Sequence, residues 1–204
     1  KLQFMRPLNT PSHDVSYAVE DGAALTHSIT DYADVCIIGS GAGGAVLAKE
    51  LSEQGFDVIV VEEGGLFKTT DFNMKPFEML RTLYRDDGLS FTLGFPVISL
   101  PLGKCVGGTT VINSGSCVRI PEKKWWQWQQ EPDLESFAHL DLSQAYQRVE
   151  DILHVEIPPL ELLSPGNIRF KQGADSLGYR GGIIPRNIQG CKGSGFCCFG
   201  CPTG

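Results

Sequence analysis

The chain has 204 residues, of which 42% are hydrophobic and 9% aromatic, enough for one α/β domain or one domain and part of another, and too apolar for a disordered polymer. Its 17 Lys and Arg stand against 24 Asp and Glu, a formal charge of −7 without basic runs, so binding to a phosphate backbone has no electrostatic support and nucleic acid is not expected as a partner. No apolar run reaches the ~18 residues that a membrane-spanning helix needs.

Residues 1–33 carry Pro7, Pro11 and Asp21-Gly22 with mixed polarity, and read as an N-terminal arm holding at most a short strand. From Asp34 the pattern sharpens. Val35–Ile38 is an apolar strand that runs into Gly39-Ser40-Gly41-Ala42-Gly43-Gly44, the spacing Gly-x-Gly-x-x-Gly. A helix pattern follows, with Leu47, Ala48 and Leu51 on one face, Lys49, Glu50 and Glu53 free for water, and Gly55 placed to end it. A second apolar strand, Val58–Val61, then ends in Glu62, 23 positions after Gly39. Strand, glycine fingerprint, helix, strand and acid in this order form a dinucleotide-binding βαβ unit. Gly39 permits the turn, Gly41 lets the backbone approach a pyrophosphate, and Gly44 lets the helix close on the sheet. The phosphates then face the amides of the helix N-terminus. Glu62 is placed to accept hydrogen bonds from a ribose and disfavours a 2′-phosphate. The fingerprint alone does not separate FAD from NAD, and glycine-rich turns without a dinucleotide also occur.

Between Leu66 and Leu100 the pattern is irregular, with a helix expected near Phe77–Tyr84 and a turn at Asp86-Asp87-Gly88. Gly103–Ser116 (GKCVGGTTVINSGS) joins adjacent glycines, two threonines and Asn113, whose amides and hydroxyls suit a polar planar ring and its phosphates, although the same composition serves a surface loop. Past Pro121 come Trp125, Trp126 and Trp128, read as packing between two regions before an approach for an apolar substrate. Leu142, Tyr146, Val149 and Leu153, and again Phe170, Ala174 and Leu177 before Gly178, recur at helical spacing.

The two glycine motifs, in this order and with this gap, resemble the glucose-methanol-choline oxidoreductase family, on Val35–Gly64 and Gly103–Pro121. The resemblance implies an α/β, Rossmann-like FAD-binding fold with FAD as cofactor. It divides the chain into an arm (1–33), an incomplete FAD-binding domain (34–120) and the start of a substrate or cap region (121–204). It further implies that Ser40, Ala42 and Gly43 contact the pyrophosphate beside Gly39, Gly41 and Gly44, that Glu62 holds the adenosine ribose, and that Gly108, Thr109, Asn113, Ser114 and Ser116 line the pyrophosphate and isoalloxazine. Members of the family oxidise alcohols by hydride transfer to flavin N5 while a late histidine takes the hydroxyl proton. None of His13, His27, His139 and His154 matches that motif, so no catalytic residue is expected in this chain and a companion polypeptide is expected to carry it. The electron acceptor is undefined. A lyase that uses the same fold, or a non-catalytic electron-transfer subunit, are the competing readings.

Of seven cysteines, Cys36, Cys105 and Cys117 are scattered in apolar contexts and read as small buried residues, while Cys191, Cys197, Cys198 and Cys201 fall within eleven residues. Three readings stay open for this cluster. Zinc wants paired Cys-x2-Cys, of which only Cys198 and Cys201 give one; structural thiols or a disulfide suit adjacent loops; and Cys191, Cys197 and Cys201, ending in Cys-Pro, suit an iron–sulfur cluster. Some sugar dehydrogenases that the chain resembles carry a three-iron cluster at similar spacing, with Lys192 a departure from their pattern. Thiols so close together favour a reducing compartment, and a chain starting at Lys1 is compatible with a removed leader, so localisation stays open.

Overall fold

A computed structural model describes residues 3–7, 17–137 and 140–203; His13 and His139 fall outside them. The segment Val35–Ile38 forms strand β3, Ala42–Glu53 helix α1 and Val58–Glu62 strand β4, and β3 and β4 run parallel with Val35 opposite Val58 and Ile38 opposite Val61. A parallel pair needs a crossover, and α1 supplies it. Ile37, Val58 and Val60 face α1 and are buried against Val35, Ala48 and Leu51. Gly44, Ala48 and Leu51 therefore make the inner stripe of α1. Leu47, expected on that stripe, is 48% exposed, and Lys49 pairs with Glu53 on the outer side.

The N-terminal arm holds more structure than its composition suggests. Gln3–Pro7 is strand β1 and Tyr17–Asp21 strand β2; they pair antiparallel with each other, and β1 also pairs antiparallel with β4, giving the order β2-β1-β4-β3. The backbone explains the difference: β4 would otherwise present a row of unpaired amides and carbonyls, and β1 satisfies them whatever side chains it carries. Beyond β4, helix α2 (Pro76–Leu83) appears where expected, with Pro76 at its first turn and Met79 and Leu83 buried. The turn at Asp86-Asp87-Gly88 has all three residues at positive φ.

Met79, Leu83, Tyr84, Cys105 and Ile112 form a second buried cluster, packed by Phe67, Phe72, Leu80 and Phe199. Phe199 joins from far along the sequence. The single phenol proton of Tyr84 is shared between the carbonyl oxygens of Cys198 at 2.5 Å and Ile112 at 3.1 Å. Accordingly the chain forms two units, one of Lys1–Ser114 with Ser194–Gly204 and the other of Gly115–Gly193. The first unit's leading stretch ends at Ser114, whereas a boundary after residue 120 is expected, and the Cys-rich segment is divided, with Cys191 in the second unit and Cys197, Cys198 and Cys201 in the first.

The second unit contains α3 (Glu122–Gln129), α4 (Ser143–Ile152), α5 (Pro165–Ser176) and the short antiparallel strands β5 (Val155–Glu156) and β6 (Arg186–Asn187). Arg119 forms a two-pronged ion pair with Glu150 of α4 and stacks over the ring of Tyr146, 5.3 Å from its centre. Trp126 and Trp128 are 62% and 46% exposed. Among the described residues no helix is long and apolar enough to cross a membrane.

Candidate functional site

The bend between β3 and α1 is held from several sides. Gly39 N–H donates to the Val61 carbonyl oxygen at 2.8 Å, which aligns the end of β3 with the end of β4. A Cβ added to Gly44 would lie 1.9 Å from the Gly39 carbonyl oxygen, so only glycine lets α1 start this close to the strand that feeds it. At Gly41 and Gly43 an added Cβ would meet nothing within 4 Å. This side of the bend is open space beside the helix N-terminus, and Gly41, at the N-cap, offers no side-chain cap to the first amides of α1. Open backbone and uncapped amides are what a pyrophosphate requires.

Glu62 ends β4 as expected, but its surroundings were not foreseen. It is 6% exposed, and its carboxylate accepts three hydrogen bonds: Oε2 from Ser40 N at 2.9 Å and from Ser40 Oγ at 2.7 Å, Oε1 from Gly64 N at 2.8 Å. Ser40, also 6% exposed, accepts in turn from Gly107 N at 2.9 Å. A chain of hydrogen bonds thus runs from the strand end through the first glycine bend into the second. Gly64 packs against Lys104 and Cys105 so tightly that an added Cβ would fall 2.2 Å from the Lys104 carbonyl carbon, and Val106 N–H donates to the Gly65 carbonyl oxygen at 2.9 Å. Gly108, at positive φ, opens a single 3-10 turn (Gly108–Thr110), and a Cβ there would lie 3.1 Å from Gly41 Cα. The two glycine motifs, 67 residues apart at Ser40 and Gly107, are in contact.

The structure therefore brings Gly39, Ser40, Gly41, Ala42, Gly43, Gly44, Glu62, Gly108 and Thr109 together in the first unit. Asn113 lies in the same unit, and its side-chain amide donates to the Thr109 and Thr110 carbonyl oxygens at 3.1 and 2.7 Å, bracing the 3-10 turn. Thr109 Oγ1 accepts from Gly103 N at 3.0 Å. Ser114 is exposed at the end of the unit, and Ser116 belongs to the second unit, where it bridges to Arg186. Sequence reasoning missed the linking roles of Ser40 Oγ, Gly64 and Gly107. The adjacent glycine pairs Gly64-Gly65 and Gly107-Gly108 were the available signal, since paired glycines mark close backbone approach as readily as ligand contact.

A FAD-binding domain model matches residues 32–71, and a GMC oxidoreductase model matches residues 59–204. The chain belongs to the GMC oxidoreductase family. It is 40% identical over 172 residues to an uncharacterised GMC-type oxidoreductase of Mycobacterium tuberculosis, covering 84% of this chain and 27% of that protein. It is 35% identical over 186 residues to an uncharacterised GMC-type oxidoreductase of Sinorhizobium fredii, covering 91% of this chain and 37% of that one. A long-chain-alcohol oxidase of Arabidopsis thaliana is 29% identical over 174 residues, with 84% and 23% covered. The chain thus spans a quarter to somewhat over a third of the length of these relatives. The fold is the Rossmann-like FAD-binding one, and FAD is its cofactor. The cradle fits: the open faces of Gly41 and Gly43 leave room for the pyrophosphate, and Glu62 stands at the end of the second strand.

Cys105 lies between the bends. Burial pushes its thiol up to about 11, the Glu62 carboxylate adds to the effect, and Sγ donates to the Gly108 carbonyl oxygen at 3.6 Å. The thiol is therefore a neutral packing group. Cys36, expected to be buried, is exposed, because on β3 it alternates to the face opposite Ile37. Among the described residues no three His, Cys, Asp or Glu side chains are grouped so as to hold a metal ion, and Cys191 lies in the second unit while Cys197 and Cys201 lie in the first. His27 is exposed beside Thr26. His154 occupies a turn at positive φ, where its carbonyl oxygen accepts from Ile188 N at 3.2 Å.

Proposed function

We propose that this chain supplies most of the FAD site of an enzyme that oxidises an alcohol, the hydrogen on the CH–OH carbon leaving as hydride. The observation that carries the reading is the hydrogen-bonded chain Glu62–Ser40–Gly107, which joins both glycine bends at the N-terminus of α1 in the family's order. Bound FAD would supply the hydride acceptor. The chain's own residues bind and orient: the first amides of α1 take the pyrophosphate charge, and Glu62 keeps the strand end and both bends in register while offering its carboxylate to the ribose. Gly108 and Thr109 present backbone toward the second half of the dinucleotide. The long-chain-alcohol oxidase relatives support an alcohol as the donor. The proton-accepting group is assigned to a companion C-terminal segment, in keeping with the share of the relatives' length that this chain covers.

The test is spectroscopic. The intact native polypeptide should show visible flavin absorption that bleaches on anaerobic addition of a primary alcohol panel. A flavin that stays oxidised with every alcohol in the panel defeats the proposed reaction, and absence of flavin defeats the cofactor assignment as well.

A further inference from the structure

We infer that Ser40 is a positioning residue that fastens the second glycine bend to the first, so that its hydroxyl sets the affinity for the whole dinucleotide and not for the adenosine half alone. The inference rests on the FAD reading above. Ser40 occupies a variable position of the Gly-x-Gly-x-x-Gly spacing, where the fingerprint itself specifies no side chain. In this chain the position is 6% exposed and its Oγ is used on both sides: it donates to Glu62 Oε2 at 2.7 Å and accepts from Gly107 N at 2.9 Å. Its backbone amide donates to the same carboxylate oxygen at 2.9 Å, so Glu62 stays anchored to the first bend when the hydroxyl is removed. Among the described residues the Gly107 amide makes no second hydrogen bond to that bend. The hydroxyl is the direct hydrogen bond from bend to bend, beside the contact of Gly108 with Gly41 and the attachment of Cys105 and Val106 to Gly64-Gly65.

That division of labour is measurable. Removing the hydroxyl removes the direct hydrogen bond between Gly107 and the first bend and loosens the Gly107–Thr110 turn toward it, while the open pyrophosphate face and the Glu62 carboxylate keep their places. A ligand that needs both bends should therefore suffer, and one that needs only the first should not. A buried hydrogen bond whose loss frees a loop corresponds to about a tenfold change in affinity, or ~1.4 kcal/mol.

The experiment uses the intact native polypeptide stripped of flavin, titrated with FAD by flavin fluorescence and with AMP by calorimetry. Ser40→Ala should raise the FAD dissociation constant about tenfold while the AMP constant moves less than about threefold. Ser40→Thr, which keeps a hydroxyl, should recover most of the FAD affinity. Parallel weakening of FAD and AMP would mean that Ser40 only props Glu62, and unchanged FAD binding would mean that the bends hold together without it; either overturns the inference. If Ser40→Ala fails to fold, Ser40→Cys fills the site with a slightly larger and weaker hydrogen-bonding group, and the same split at smaller amplitude supports the inference while parallel loss overturns it. Wild-type protein that binds AMP but takes up no FAD overturns the cofactor reading itself, a result distinguishable from equal binding by wild type and variant.

Discussion

Gly43 and Gly44 are neighbours in the first turn of α1, and the structure predicts opposite effects on stability when each becomes alanine. At Gly44 the new Cβ would sit 1.9 Å from the Gly39 carbonyl oxygen, 3.0 Å from its carbon and 3.3 Å from Ile37 Cγ2. An ordinary carbon–oxygen contact is about 3.3 Å, so helix and strand end would have to separate by more than about 1 Å. That displacement loosens Ala48 and Leu51 from Ile37, Val58 and Val60, the whole of the cluster beneath the helix. Overpacking of this kind costs about 1–3 kcal/mol, and the ~1 kcal/mol that alanine gains over glycine in a helix offsets only part of it. At Gly43 the Cβ would meet nothing within 4 Å, so the helix-propensity gain stands alone, at about 0.5–1 kcal/mol. Both substitutions should nevertheless weaken FAD binding, Gly44→Ala by moving the cradle and Gly43→Ala by filling it. Urea unfolding of flavin-free protein read by amide hydrogen exchange of α1 and β4, together with flavin titration, separates these effects. Equal destabilisation by the two variants, or a flavin affinity untouched by Gly43→Ala, would refute the reasoning.

Glu62→Gln keeps volume but turns one acceptor oxygen into a donor, and whichever way the amide is placed it faces a backbone N–H. If the amide turns toward Gly64 the Gly64 N–H loses its acceptor, and if toward Ser40 the Ser40 N–H does while the hydroxyl must turn to accept, so the flavin-free protein should lose about 1–3 kcal/mol in denaturant unfolding. Tyr84→Phe leaves the Ile112 and Cys198 carbonyls without their donor and should cost a similar ~1–3 kcal/mol at neutral pH. Burial, then the nearby Cys198 and Cys105 thiols, push the Tyr84 phenol from its ordinary 10.0 up to about 12, and burial pushes the Cys105 thiol from 9.0 to about 11. Both folded values exceed the unfolded ones, so this stabilisation is complete below pH 9 and is lost as pH rises through about 11–12; thermal melts should fall steeply there, and less steeply in Tyr84→Phe. Alkylation mapped by mass spectrometry at neutral pH should label exposed Cys36 well before Cys105, and labelling of Cys105 first would contradict its burial.

The βαβ unit was legible because its signals are local: an apolar run, a glycine spacing and a terminal acid each constrain a few neighbouring residues. Helix α2 and the turn at Asp86–Gly88 were legible for the same reason. What escaped reading depends on partners distant in sequence. Nothing in Gln3–Pro7 announces that it will pair with β4, because that pairing is made by backbone groups every residue possesses. The second glycine motif also has internal supports that the spacing does not announce, since Asn113 braces its own turn and Gly107 is held by Ser40. Leu47 and Cys36 were misjudged because hydrophobicity says that a side chain prefers burial, not which face the chain will turn outward.

The return of the chain to the first unit has a consequence for biosynthesis. Tyr84 and Cys198 are hydrogen-bonded across 114 positions, and Phe199 packs against the cluster that holds Met79, Leu83 and Ile112, so the hydrophobic cluster beside the second glycine bend stays unfinished until residue 199 has been made. At ~5–20 residues per second, translation of the intervening stretch takes roughly 6–23 seconds, during which Leu83 and Ile112 have no Phe199 to cover them. The nascent protein is thus exposed to chaperones and to misassociation for that interval, and a ribosome pausing just before the cysteine-rich segment would prolong it.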